Sequence, residues 1–65
     1  MRKTYTYFST YVDGDRRADV IQDSTGNWGI EMIENNEFIR REFFTGHSES
    51  YAEDAAENYV MRIKN

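Results

Sequence analysis

The chain's one histidine, His47, stands in Thr45-Gly46-His47-Ser48-Glu49-Ser50. A histidine, two hydroxyls and a carboxylate are the parts of a nucleophilic triad. That chemistry needs the base within hydrogen-bond reach of its nucleophile and an acid to orient it. Neighbours in one loop seldom reach that geometry by proximity alone, so His47 reads as a solvated loop histidine. Glu49, Glu53, Asp54 and Glu57 offer paired carboxylates, the requirement of glycoside hydrolysis. They fall on one short helix with no second lobe to make a cleft, and read as its solvated face. Asp13-Gly14-Asp15 lacks the further oxygen ligands and closing glutamate of a calcium loop, and reads as a hairpin turn. With no cysteine and one histidine, no thiolate or imidazole metal cluster is available. The expectation is no catalytic residue, no cofactor and no metal.

Arg16-Arg17 and Arg40-Arg41 are basic doublets among aromatics, a mixture that can hold phosphates and stack bases. Acidic residues lie among them. Residues 1 to 47 hold six basic and eight acidic side chains, and the whole chain carries a formal charge of −4. Nucleic-acid binders show a basic surplus, so nucleic acid is an unlikely partner.

The elements that must position these residues follow from pattern. Residues 4 to 12 are almost pure β-formers and make a first strand. Residues 17 to 23, 28 to 34 and 37 to 44 make three more, separated by turns at Asp13-Gly14, Thr25-Gly26 and Asn35-Asn36. Ser50-Tyr51-Ala52-Glu53 has the form of a capping box, with Ser50 as N-cap of a helix from about Tyr51 to Ile63. Ala52, Ala55, Ala56, Tyr59, Val60 and Ile63 give that helix one apolar stripe, and Arg62 and Lys64 suit its C-terminal dipole. The fold expected is α+β: an antiparallel β-meander of three to four strands, packed on one face by a single C-terminal helix. Residues 1 to 65 form one small domain.

With Asn35-Asn36 as a two-residue loop, Ile33 faces Phe38, Met32 faces Ile39, Glu31 faces Arg40 and Trp28 faces Phe43. Alternation then puts Trp28, Ile30, Met32, Ile39 and Phe43 toward the helix. Carried outward, the same register adds Ile21 and Phe8 to that side. Tyr5, Tyr7, Tyr11, Val20, Ile33, Phe38, Arg40 and Phe44 fall on the opposite face, which has no helix to cover it. An uncovered aromatic face marks an interface, and these eight residues are the candidate interaction surface.

The order of strands and helix, with Trp28 opening a strand, Phe43 closing the next and residues 50 to 59 on the helix, resembles the plant ethylene-response-factor DNA-binding domain. It also resembles the arm-site-binding domains of tyrosine recombinases. The similarity covers about residues 18 to 62. It implies a sheet face that meets DNA through arginines, a part that only Arg17, Arg40 and Arg41 could take here. Separately, Tyr51 to Val60, Tyr-Ala-Glu-Asp-Ala-Ala-Glu-Asn-Tyr-Val, resembles segments of small proteins encoded by phages of marine cyanobacteria. That resemblance implies a virus-encoded protein in a bacterial cytoplasm.

A domain this small buries only roughly 60% of its unfolded surface and needs support. Without disulfides or metals, association is the remaining route. The chain opens at Met1 and reads as a complete small frame. No apolar core follows Arg2 and Lys3 as a secretory signal would require, and no run of about 18 apolar residues spans a membrane. The expectation is a cytoplasmic, non-enzymatic protein-interaction module whose partner is a protein, itself or a host's, with a homodimer possible and no membrane contact. A nucleic-acid-binding sheet is the alternative.

Overall fold

The computed structural model describes residues 5 to 62. Four antiparallel strands, β1 (Thr6–Asp13), β2 (Arg16–Gln22), β3 (Trp28–Glu34) and β4 (Glu37–Phe43), form one sheet in the order β1-β2-β3-β4. A single helix, α1 (Glu49–Met61), follows and packs across β1, β2 and β3, leaving β4 uncovered on that side. This is the expected α+β meander with a C-terminal helix. No helix among the described residues is long and apolar enough to cross a membrane.

The β3–β4 hairpin turns at Asn35 and Asn36, both with positive φ (54° and 65°), as a type I′ turn requires. Ile33 faces Phe38 as expected. Beyond that pair the ladder shifts at a β-bulge, and Ile39 becomes the extra residue. Met32 then faces Arg40, Glu31 faces Arg41 and Gly29 faces Phe43. The bulge corrects three expectations: Arg41, not Arg40, meets Glu31; Phe43 points away from the helix; Ile39 is exposed.

The β2–β3 connection is longer by a whole face. Asp23 organises a five-residue loop, its Oδ1 accepting from the backbone N–H of Thr25 and of Asn27, both at 2.9 Å. These bonds, that from Asn27 first, hold the Asp23 carboxyl down at about 2. Because the loop is not the two-residue Thr25-Gly26 turn, Val20 rather than Ile21 lies opposite Ile30. A one-residue change of register exchanges faces, so Val20 belongs to the helix side and Ile21 to the other. The first hairpin turns at Gly14-Asp15, with Gly14 at φ 65°, and not at Asp13-Gly14. Tyr11 lies opposite Ala18 and follows β2 to the helix side, and Phe8 sits at a second bulge.

The core is Ala18, Val20, Ile30 and Met32 from the sheet with Ala52, Ala56 and Val60 from the helix. Three small residues at the interface let the helix axis come close to β2, and Tyr11, Trp28, Phe44 and Tyr59 close the sides. Trp28 packs as expected on the helix side, against Phe8 with ring centroids 4.7 Å apart. Phe43, its expected companion, does not join it.

The helix begins earlier than the capping box implied. Its N-cap is Ser48, which makes no side-chain capping bond, and Ser50 lies inside the first turn. Arg62 forms the C-cap in the left-handed conformation, and its side chain pairs with Asp15 at 2.6 Å rather than with the helix end. Arg16 takes the C-terminal part instead, donating from a terminal guanidinium nitrogen to the Tyr59 carbonyl at 2.9 Å. The Tyr59 hydroxyl donates to Glu34, and burial with this bond pushes it up to about 12. Ile63 and Lys64 lie outside the described residues.

Candidate functional site

The sheet face away from α1 is built from three rows that run across all four strands. Each row is fixed by cross-strand pairing. Tyr7, Ile21, Gly29 and Phe43 form the first, Thr10, Asp19, Glu31 and Arg41 the second, and Val12, Arg17, Ile33 and Phe38 the third.

The middle row is ionic and closed on itself. Asp19 and Glu31 are directly opposite, an arrangement that like charges make unfavourable. Both are nevertheless buried, at 2% and 7% exposure. Each carboxylate has its own cation and its own hydroxyl. Arg17 donates to both oxygens of Asp19 at 3.1 and 2.9 Å, and Thr10 adds a bond at 3.0 Å. Arg41 donates to Glu31 at 2.8 Å, and the Tyr7 hydroxyl reaches both Glu31 oxygens at 3.0 Å. Burial and this bond to Glu31 raise Tyr7 above the ordinary phenol range. The bonds to Glu31 and Asp19 raise Arg41 and Arg17 further into their charged form.

The first row explains how Ile21 is fully buried with no helix above it. The rings of Tyr5 and Phe43 meet at 5.7 Å although two strands separate them. They do so over Ile21 and the missing side chain of Gly29. A Cβ at Gly29 would lie 2.4 Å from the Glu42 carbonyl oxygen and 2.7 Å from the Phe43 ring, so glycine is required for this approach. Arg41 lies over the Tyr5 ring at 4.5 Å and over Phe38 at 5.2 Å, joining the three rows.

Outside this closed layer stand the exposed apolar groups: Tyr7 at 56%, Val12 at 64% and Phe38 at 52%. Of the eight residues read as one interaction surface, Tyr5, Tyr7, Ile33 and Phe38 lie on this face. Tyr11, Val20, Arg40 and Phe44 lie on the helix side, the first two moved there by the longer β2–β3 loop and the last two by the Ile39 bulge. Val12, Ile21, Phe43 and the Asp19–Glu31 pair with its arginines belong to the face and were not among the eight. Two charges inside a strand read as solvent-facing, and only the bulge brings Arg41 to Glu31.

The gap between α1 and β4 forms an open groove of about 840 Å³, lined among others by Arg16, Arg40, Phe44, Tyr51 and Tyr59. His47 is exposed and stacked on Tyr51 at 3.8 Å, and hydrogen-bonds through its backbone N–H to Phe44. No hydrogen bond among the described residues joins its ring to Ser48, Glu49 or Ser50. Comparison with protein-family models, with curated proteins and with solved structures finds no match to this chain.

Proposed function

We propose that this chain is a non-enzymatic protein-interaction module that binds through the outer face of its sheet. One observation carries the reading: Tyr7, Val12 and Phe38 are each more than half exposed around an ionic row that is already neutralised internally. Covering charged groups normally costs desolvation that only good pairing offsets. Here Asp19 and Glu31 are already buried and paired, so a partner that covers this face gains apolar contact with little further desolvation of these carboxylates. Aromatic and arginine side chains in that setting are typical of interface centres.

The nucleic-acid alternative has less to draw on. Arg16, Arg17, Arg41 and Arg62 are all engaged with carboxylates, and a phosphate would have to displace them. Arg40 has no ion pair among the described residues, and it lies on the helix side of β4. The partner is accordingly a protein: a second copy of the chain or, on the phage resemblance of residues 51 to 60, a protein of the bacterial host. Affinity capture with the wild-type chain and with Phe38→Ser tests this. The variant should keep its fold, since Phe38 is exposed, and lose its partner. Equal capture by both would remove the outer face as the binding surface.

A further inference from the structure

The two edges of the sheet are guarded very differently. An edge strand presents unpaired backbone groups, and soluble proteins protect such edges with charge, proline or bulges. β4 carries Glu37, Arg40, Arg41 and Glu42 in seven residues, with a bulge at Ile39 in its middle. β1 has no charged residue before its last position, Asp13, and no proline. Its bulge lies near its start, at Phe8, and Ser9 to Asp13 then pair with β2 in unbroken register. An uncharged run of four residues, Ser9 to Val12, is thus left on an edge that no other described strand pairs with.

We propose that this edge takes a second copy of the chain, with the two β1 strands pairing antiparallel about a two-fold axis at Tyr11. The inference rests on the interaction-module reading and adds a named partner and a second route, an edge of the sheet in place of its outer face. Two-fold symmetry sets each residue against a defined mate. With Tyr11 at the axis, Thr10 faces Val12 of the other copy and Ser9 faces its Asp13, a hydroxyl beside a carboxylate. No like charges meet within the paired run. On β4 the bulge at Ile39 breaks the middle of the strand, so the unbroken run selects β1. The product is one continuous sheet of twice the strands, and the outer faces of the two copies lie side by side as a single surface.

The acidic residues of α1 oppose this pairing. The helix packs across β1, and burial first, then the charges of Glu53, Glu57, Asp54 and Glu49, raise the Tyr11 hydroxyl. Two copies bring two such sets of charges together, and salt screens them. Association should therefore strengthen with added salt, the reverse of phosphate binding.

Light scattering and amide exchange on the full chain, from micromolar to millimolar, test the proposal together. The expected result is a rise to twice the chain mass, with exchange at those amides of Ser9 to Asp13 that point away from β2 slowing by about tenfold or more as concentration rises. Val12→Lys, at a site 64% exposed, should keep the fold by circular dichroism and stay monomeric with fast β1 exchange. A monomer at every concentration and salt overturns the proposal. So does a dimer whose β1 amides exchange as fast as at dilution. If such a dimer is lost in Phe38→Ser, the copies meet through the outer face, and the interaction-module reading stands without the edge. If Phe38→Ser still captures its partner while the β1 amides slow, the edge stands and the face reading fails.

Discussion

Replacing Arg41 by methionine keeps most of the apolar stem over Tyr5 and Phe38 and removes the cation that faces Glu31. The Glu31 side chain is 9% exposed and that of Arg41 is 33% exposed, with 2.7 Å between the closest charged atoms. An exposed pair contributes about 0–1 kcal/mol. Breaking a fully buried one costs about 3–5 kcal/mol, because a charge is left without a partner. A pair with one buried member belongs between these, at about 2 kcal/mol. A chain of this size has a total stability of roughly 3–10 kcal/mol, so the loss is a large share of it. Urea titration followed by Trp28 fluorescence measures it. Arg41→Met with Glu31→Gln should recover about 1–2 kcal/mol of the loss, since the stranded charge is gone while Tyr7 keeps an acceptor. A loss below about 0.5 kcal/mol for Arg41→Met alone would refute the reasoning. It would mean that Glu31 is solvated and that the outer row is not a closed layer.

Gly29→Ala should destabilise the fold by about 1–3 kcal/mol, because its methyl meets the Glu42 carbonyl on the adjacent strand; a neutral result in the same titration would deny the close approach of β4. Asp23 should titrate by NMR at about 2, and a midpoint near 3.8 would mean that its loop bonds are not formed. Its folded value lies below its unfolded one, so its contribution is present above pH 3.8 and lost as pH falls through about 2. Asp23→Ala should lack that acid-dependent loss.

How much of this was legible depends on where registers are decided. The apolar run of β3 lies between Asn27 and Asn35-Asn36, and its bounds and its turn could be read directly. The Phe38-Ile39-Arg40-Arg41 doublets do not alternate, and they hide the bulge that carries Arg41 to Glu31 and Phe43 to the far face. Asp23 continues the pattern of residues 17 to 22 and reads as strand, although an aspartate two before Thr25 and four before Asn27 is suited to bonding their amides. That loop decided whether Val20 or Ile21 is core. At the helix start the capping-box pattern points to Ser50, but Ser48 is the cap and Tyr51 packs against Phe44 and His47. Tyr5, Tyr7, Ile33 and Phe38 keep the expected face because Ile33 faces Phe38 before the bulge, and because Tyr5 and Tyr7 precede the Phe8 irregularity.

Chemical-shift mapping of the labelled chain on binding its captured partner tests the outer-face interface most directly. The account predicts that the largest changes fall on Tyr7, Val12, Ile33, Phe38 and Arg41, with Ala52, Ala56 and Val60 unmoved. Changes confined to α1 and the groove beside β4, with the outer rows silent, would contradict it.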